Sequence, residues 1–356
     1  MVDQKDIFKI IEYGAMAPSA DNNQPWYFQV EKNLISIYLD RRRQTIRDFS
    51  NKDYIVDLIS IGTVLENMRI ASLSLGYSPK TEYNNQHKDN LIATVALIKS
   101  EKAAHKLFSF IPTRATNRCK YKKNVIIEKN VFKEMEQIAE KKGGKIYFAN
   151  SKKDIKKIAK SISYFDNILW LNPKKRKDLL KTIRWTNREA KNSRDGLALK
   201  ALSLMKWQEK AFSLLAKLSQ KYPFFFHLIR LSSKQNSYKL AKSSAGFFVV
   251  AMPNNDKENY VQGGQIFENI WLYLTSKKIS CHPMVGPLFC FFYEFSPDGK
   301  NELTGRERKI VQKIVQNLRE HFPVSEDNAL ICLCRFGYAK DDPLETHRRP
   351  IEELVQ

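Results

Sequence analysis

No apolar run of about 18 residues occurs in the 356-residue chain, so no membrane-spanning helix is expected. The opening residues, MVDQKDIFKI, carry early acids and lack the apolar core of a secretory leader. Cysteine is scarce: five thiols do not make a disulfide framework, and a reduced, cytoplasmic setting is the simplest reading. The six histidines (His87, His105, His227, His282, His321 and His347) form no pair at ligand spacing with Cys or carboxylate partners, which speaks against a metal centre. Neither G-x-G-x-x-G nor a Walker A loop is present. Ser19 has no nearby histidine, so hydrolase chemistry is poorly supported.

Acids are outnumbered. Lys and Arg total 60 against 38 Asp and Glu, a formal charge of +22. Such a chain can attract nucleic acid, a membrane surface or anionic small molecules. The basic residues are nonetheless spread over many segments and interleaved with acids, and no RNA-binding or helix-turn-helix signature accompanies them. A solvated basic surface is the favoured reading.

What is there reads as α+β. Residues 5–16 have the spacing of an amphipathic helix. Residues 27–40 read as two strands joined at Lys32-Asn33. A long, mostly apolar helix over 54–75 ends at Gly76, and strands follow at 77–83 and 90–99. Further on come a helix at 131–142, a strand at 143–150, a Lys-rich helical stretch over 151–240, a strand at 245–253, a helix at 258–277 and a buried strand at 328–339. Cys332 and Cys334 share one face of that last strand.

Two of these segments match at one fixed offset. GTVLENMRIASLSLGYS and GQIFENIWLYLTSKKIS pair Gly62 with Gly264, Glu66 with Glu268, Asn67 with Asn269 and Ser78 with Ser280. That match predicts a duplicated half-domain whose two helices pack about a false two-fold axis, so that one chain imitates a homodimer.

Four short segments hold the candidate chemistry. APSADNNQPWYF places Pro18 and Pro25 around a polar bend, with Ser19, Asp21, Asn22 and Gln24 as donors and acceptors. It serves equally as a helix stop with Asx-turns or as a wall against a flat ligand. Trp26 and Phe28 read as core anchors of the next strand. RATNR offers Arg114, Thr116 and Arg118 to an anion, although a bare basic pentapeptide is more often a solvated loop. HPMVGP, from His282 to Pro287, has Gly286 for close backbone approach, with His282 read as structural. HRRP near the end adds Arg348 and Arg349, as an anion clamp or as surface charge.

Taken in order, these pieces resemble the nitroreductase family of flavoproteins, in its longer, duplicated, Acg-like branch. Pro18, Ser19, Asn22, Gln24, Pro25 and Trp26 fill that family's Pro-Ser-x-x-Asn-x-Gln-Pro-Trp loop. The resemblance implies an α+β nitroreductase-like fold of two tandem halves forming an intramolecular pseudo-dimer. Residues 1–111 would be the first half; residues 112–356 would be the second, with a helical insertion or lid over about 151–240. It implies FMN at the interface of the halves, with NAD(P)H as co-substrate. Arg114 and Thr116 would hold the phosphate, helped by Arg348 and Arg349, and Arg118 would lie near the flavin pyrimidine edge. Pro283, Met284, Val285 and Gly286 would run beside flavin N5, and Pro18, Ser19, Asn22 and Gln24 would face the ring from the first half. No side chain is then a covalent catalyst, because the flavin does the chemistry.

The implied reaction is two-electron reduction of a nitroaromatic or quinone-like acceptor. Two alternatives stand beside it: a flavin-sequestering protein without reductase activity, and a basic module binding nucleic acid or a membrane surface. The segment over 200–231 is basic and aromatic-rich, and reads as an ordinary packed helix, a lid over the flavin, or a membrane-surface contact. The pseudo-dimer predicts a monomer, with further pairing open.

Overall fold

The N-terminal helix is α1 (Gln4–Ala15); Asp3 caps it by accepting from the Lys5 backbone N–H at 2.9 Å. A computed structural model describes residues 2–43, 54–84, 88–123, 125–222, 224–284, 286–295, 299, 301–325, 327–344 and 346–356. After α1 come β1 (Trp26–Glu31) and β2 (Leu34–Leu39), an antiparallel hairpin that turns with Lys32 at φ 54°. Helix α2 (Ile55–Leu75) stops at Gly76, whose φ of 92° suits a residue without Cβ. β3 (Tyr77–Tyr83) and β4 (Leu91–Lys99) complete an antiparallel sheet in the order β1-β2-β4-β3.

The second block opens with α3 (Lys129–Glu140) and β5 (Lys145–Ala149). An all but helical excursion follows: α4 (Lys152–Leu171), α5 (Pro173–Thr182), α6 (Asn187–Ser193), α7 (Lys206–Lys221) and α8 (Phe225–Lys242). Within it β6 (Ile183–Arg184) and β7 (Leu197–Ala198) pair in parallel. The chain returns through β8 (Gly246–Met252), α9 (Lys257–Ser276) and β9 (Ser280–Pro283). It ends with α10 (Phe289–Phe295), α11 (Gly305–Arg319) and β10 (Ala329–Gly337). The second sheet runs β5-β8-β10-β9, so first, second, fourth, third is the order in both blocks. Helices α10 and α11 were not foreseen, although α11 carries a capping box in which Thr304 and Glu307 serve each other's backbone N–H.

Helices α2 and α9 lie between the sheets. Helix α2 is long and apolar enough to cross a membrane, yet 18 of its 21 residues are buried inside the protein. The two helices cross at the glycines matched in sequence. A Cβ on Gly62 would stand 2.0 Å from the Val261 carbonyl oxygen, and one on Gly264 would stand 2.1 Å from that of Ile59. Backbone therefore touches backbone, and any side chain would force the helices apart.

One turn on, the matched acids meet the matched amides crosswise. Asn269 of α9 donates to the Glu66 carboxylate, and Asn67 of α2 lies against Glu268. Burial works against charge on Glu66, but Lys142 at 3.0 Å and Arg69 at 2.7 Å outweigh it and lower its pKa from 4.5 to about 2. For Glu268, burial dominates over its partner Arg114 and raises the pKa to about 7.

The tail closes the assembly. The Phe28 N–H donates to the Leu354 carbonyl at 2.7 Å, and the Gln356 N–H to the Phe28 carbonyl at 2.9 Å, so the last residues cover the free edge of β1.

Two outcomes follow from the crossing. Gly62→Ala lowers stability by about 3 kcal/mol or more in urea unfolding, whereas Gly305→Ala, with nothing within 4 Å of the new methyl, changes it little. The stability that Glu66 contributes is present above pH 4.5 and is lost as pH falls toward about 2. Unfolding free energies against pH should show this loss, of order 3 kcal/mol, in the wild type and not in Glu66→Gln.

Candidate functional site

A cavity of about 380 Å³ opens beside the α2–α9 crossing. Its floor is Ile59 and Thr63 of α2 with Phe267 and Trp271 of α9. One wall is the loop Pro18, Ser19, Ala20 and Asp21. Facing it are Thr116 and Arg118, then His282, Pro283 and Gly286. The far side belongs to the insertion: Phe165 and Leu169 of α4, Lys174, Lys175 and Leu179 of α5, and Leu197 of β7. None of the described residues among 200–231, for which a lid was one of the readings, lines it; residues 165–197 hold that place instead.

The Pro-Ser loop is held in an uncommon shape. Asp21, Asn22 and Gln24 have φ of 50°, 56° and 52°, in the left-handed region. Thr63 Oγ1 lies 3.0 Å from the Pro18 carbonyl as its donor, and Ser19 Oγ accepts from the Gln24 N–H at 2.9 Å. Asn22 and Gln24 are turned away from the cavity. Asn22 Nδ2 donates to the His347 carbonyl at 3.0 Å, and its Oδ1 accepts from Arg348 at 2.6 Å. Gln24 Nε2 donates to the Arg194 carbonyl and its Oε1 accepts from the Arg349 N–H, both at 2.8 Å. These two amides tie the loop to the insertion and to the tail, leaving Pro18, Ser19, Ala20 and Asp21 as the wall.

The RATNR segment divides likewise. Thr116 bridges Cys281, and the Asn117 N–H donates to the Cys281 carbonyl at 2.9 Å, so the segment runs along β9. Arg118 faces the cavity. Burial pulls its pKa down and pushes that of Asp21 up, while each charge steadies the other. Arg114 lies outside the cavity. Its Nε stands 3.0 Å from Glu268, its Nη2 donates to the Met16 carbonyl at 2.8 Å, and its guanidinium covers the Trp271 ring at 4.6 Å. Arg348 and Arg349 line a separate cavity of about 320 Å³ with Met16 and Pro350. Arg348 Nε and Arg349 Nη1 are buried without a hydrogen-bond partner among the described residues. Burial and then Arg114 hold the Arg348 pKa down at about 9.

In the Pro-x-x-Gly segment, Pro283 and Gly286 line the cavity. Met284 donates its N–H to the Leu333 carbonyl at 2.7 Å and packs against the second core. Val285 lies outside the described residues. A Cβ on Gly286 would meet the Phe165 ring at 2.2 Å, so glycine here admits α4 to the cavity wall.

Arg335 was missed in the sequence, although a lone cation within ALICLCRFG is itself a signal. It is fully buried. Its Nε donates to His282 Nδ1 at 3.0 Å, Nη1 to the Leu240 carbonyl at 3.0 Å, and Nη2 to the carbonyls of Asn117 at 3.2 Å and Cys119 at 2.8 Å. Its guanidinium covers Tyr121 at 4.2 Å. One side chain thus joins the RATNR segment, the end of α8 and β9. With Nδ1 accepting, His282 keeps its proton on Nε2, and burial with Arg335 and Arg118 holds its pKa well below the usual value. His282 is therefore a neutral N–H donor on the cavity wall.

No protein-family model and no curated protein matches the chain. Solved structures similar to it include a nitroreductase-like family protein from Bacillus cereus, at 11% identity and TM-score 0.35, covering 71% of this chain and 96% of that one. An FMN-dependent nitroreductase, NfnB, from Mycobacterium smegmatis in complex with NADPH has 11% identity and TM-score 0.38, covering 69% and 95%. A nitroreductase with bound FMN from Desulfitobacterium hafniense has 10% identity and TM-score 0.35, covering 71% and 98%.

Arg335→Met takes a donor from three carbonyls and from His282 in the interior, although Leu240 keeps Ser243 and Asn117 keeps Tyr121 as donors. A loss of about 3–5 kcal/mol is expected in urea unfolding. Arg335→Lys does not restore it, because an ammonium cannot reach four acceptors in one plane.

Proposed function

We propose that this chain is an FMN-binding oxidoreductase of nitroreductase type, in which two tandem halves enclose one flavin. One observation carries the proposal: Pro18 and Ser19, from the first hundred residues, line the same cavity as Thr116, Arg118, Pro283 and Gly286. The common strand order and the Gly62–Gly264 crossing support the tandem reading. At the position that mirrors the cavity floor, Arg69 stands at the fixed offset from Trp271 and is tied to Glu66, so that side is filled by charge.

The residues present fit the group. The cavity has an apolar floor of Ile59, Phe267 and Trp271, Pro18, Pro283 and Gly286 in its walls, and the buried guanidinium of Arg118. FMN would supply hydride and electron transfer when bound. Pro18 to Asp21 and Pro283 to Gly286 would hold the ring on opposite sides. Arg118 would place fixed positive charge beside it and favour the redox form with more negative charge. His282 would offer its Nε2–H, and Asp21, with its raised pKa, a carboxyl able to hold a proton.

For the phosphate, we assign the buried surplus of guanidinium charge at Arg114 and Arg348, with Arg349 beside it. Glu268 offsets it only in part, and two of these side chains have an orphan N–H. A phosphate there must compete with Glu268 for Arg114. The Lys174 and Lys175 side of the cavity is left to an acceptor or to NAD(P)H. Flavin storage is the second reading, favoured by α4 and α5 standing as one wall of the cavity.

The purified chain should be yellow, and anaerobic NADPH should bleach it; retained colour after NADPH selects storage. A colourless protein that does not take up added FMN would remove both readings. Arg118→Ala should weaken FMN retention by about 1.5–3 kcal/mol, roughly tenfold or more, in equilibrium dialysis. Arg348→Ala should weaken FMN far more than riboflavin, which lacks the phosphate; equal losses would move the phosphate elsewhere.

A further inference from the structure

Helices α7 and α8 do not line the cavity, and α8 reaches the second sheet only at its end, through Leu240 and Ala241. Their inner faces make a small core, in which Ala216 and Ile229 pack with Trp170, flanked by Phe212 and Leu215. Their outer faces are apolar where a solvated surface would be polar. Seven of the 14 exposed large apolar side chains among the described residues lie between Met205 and Leu231. On α7 the exposed face reads Trp207, Lys210, Leu214, Lys217 and Lys221 at helical spacing. On α8 and its start it reads Phe224, Leu228 and Leu231, then Gln235 and Lys239. Trp207 is 64% and Phe224 68% exposed. Between residues 200 and 242 the sequence has nine Lys or Arg and a single acid, Glu209.

We propose that the α7–α8 hairpin docks on an anionic lipid surface. Interleaved lysine, aromatic and leucine side chains on one exposed face suit a bilayer boundary, where apolar groups enter the acyl edge and ammonium groups meet phosphate. Trp207 and Tyr222 have the amphipathic rings that settle at that level. A second copy of the chain would set two strongly basic faces against each other. Nucleic acid would engage the lysines but give Leu214, Leu228 and Leu231 nothing apolar to bury against. The proposal does not depend on flavin binding.

The test is co-sedimentation with vesicles of equal parts phosphatidylglycerol and phosphatidylcholine, against phosphatidylcholine alone. The full-length protein is expected to pellet with the first only, and to be released at about 1 M salt, where screening falls to about 3 Å. Lys210→Glu with Lys217→Glu and Lys221→Glu should lower the partition coefficient at least about tenfold. Phe224→Ser with Leu228→Ser and Leu231→Ser should lower it similarly at unchanged net charge. Both variants alter exposed side chains, and unfolding midpoints within error of the wild type check that the fold is kept. A measurement free of folding cost uses brominated lipid, which should quench part of the tryptophan emission in the wild type but not in Trp207→Phe. Equal pelleting with both vesicle types, or no loss in either triple variant, overturns the proposal. So does a dimer that the serine variants dissolve while vesicle binding is unchanged, or retention by duplex DNA in place of vesicles.

Discussion

At Gly62 and Gly264 two long helices touch through their backbones, and the separation this fixes propagates into the rest of the molecule. Ile59 and Thr63 sit on one side of the contact with Phe267 and Trp271, and together they are the cavity floor. A floor made of helices already in van der Waals contact cannot sink or widen, so the opening above it is set by the walls. Those walls come from four distant stretches of chain, each pinned by hydrogen bonds to backbone rather than by packing alone.

Charge then distinguishes two sides that resemble each other in topology. Glu66 and Glu268 occupy matching positions and meet matching amides, yet one is surrounded by cations and the other is shared with a single buried guanidinium. Three residues account for the difference: Arg69, Lys142 and Arg114. On the first side the ion pairs fill the space. On the second, Glu268 has two guanidinium groups near it, Arg114 and Arg348, and the phosphate assignment proposed above rests on that surplus.

Much of the fold was legible because its longest elements have clean periodicity. Helix α2 was read as 54–75 and found at Ile55–Leu75, and the strands around it fell within a residue or two of expectation. The repeated Gly and Glu-Asn positions foretold that these two helices pack together, though not that the glycines are the point of contact. The site was legible only as segments. Nothing local tells that Asn22 and Gln24 bond to residues 347–349 and 194, because those partners are brought near by tertiary structure alone. Nor does RATNR tell which arginine turns to the cavity. Arg114 follows the turn that ends at Thr113 and reaches Met16, whereas Arg118 lies further along β9. Arg335 could have been suspected from its setting, but its four acceptors lie 53 to 218 residues away along the chain and could not.

The anchoring of the Pro-Ser loop has a temporal side. A ribosome delivers this loop long before residues 347–349, which grip Asn22 and one end of the Gln24 amide. Until then the nascent chain holds the loop by its nearer ties alone, those to Ser19, Thr63 and Arg194. The full set of ties exists only once residues 347–349 have been made, so the wall matures late in synthesis.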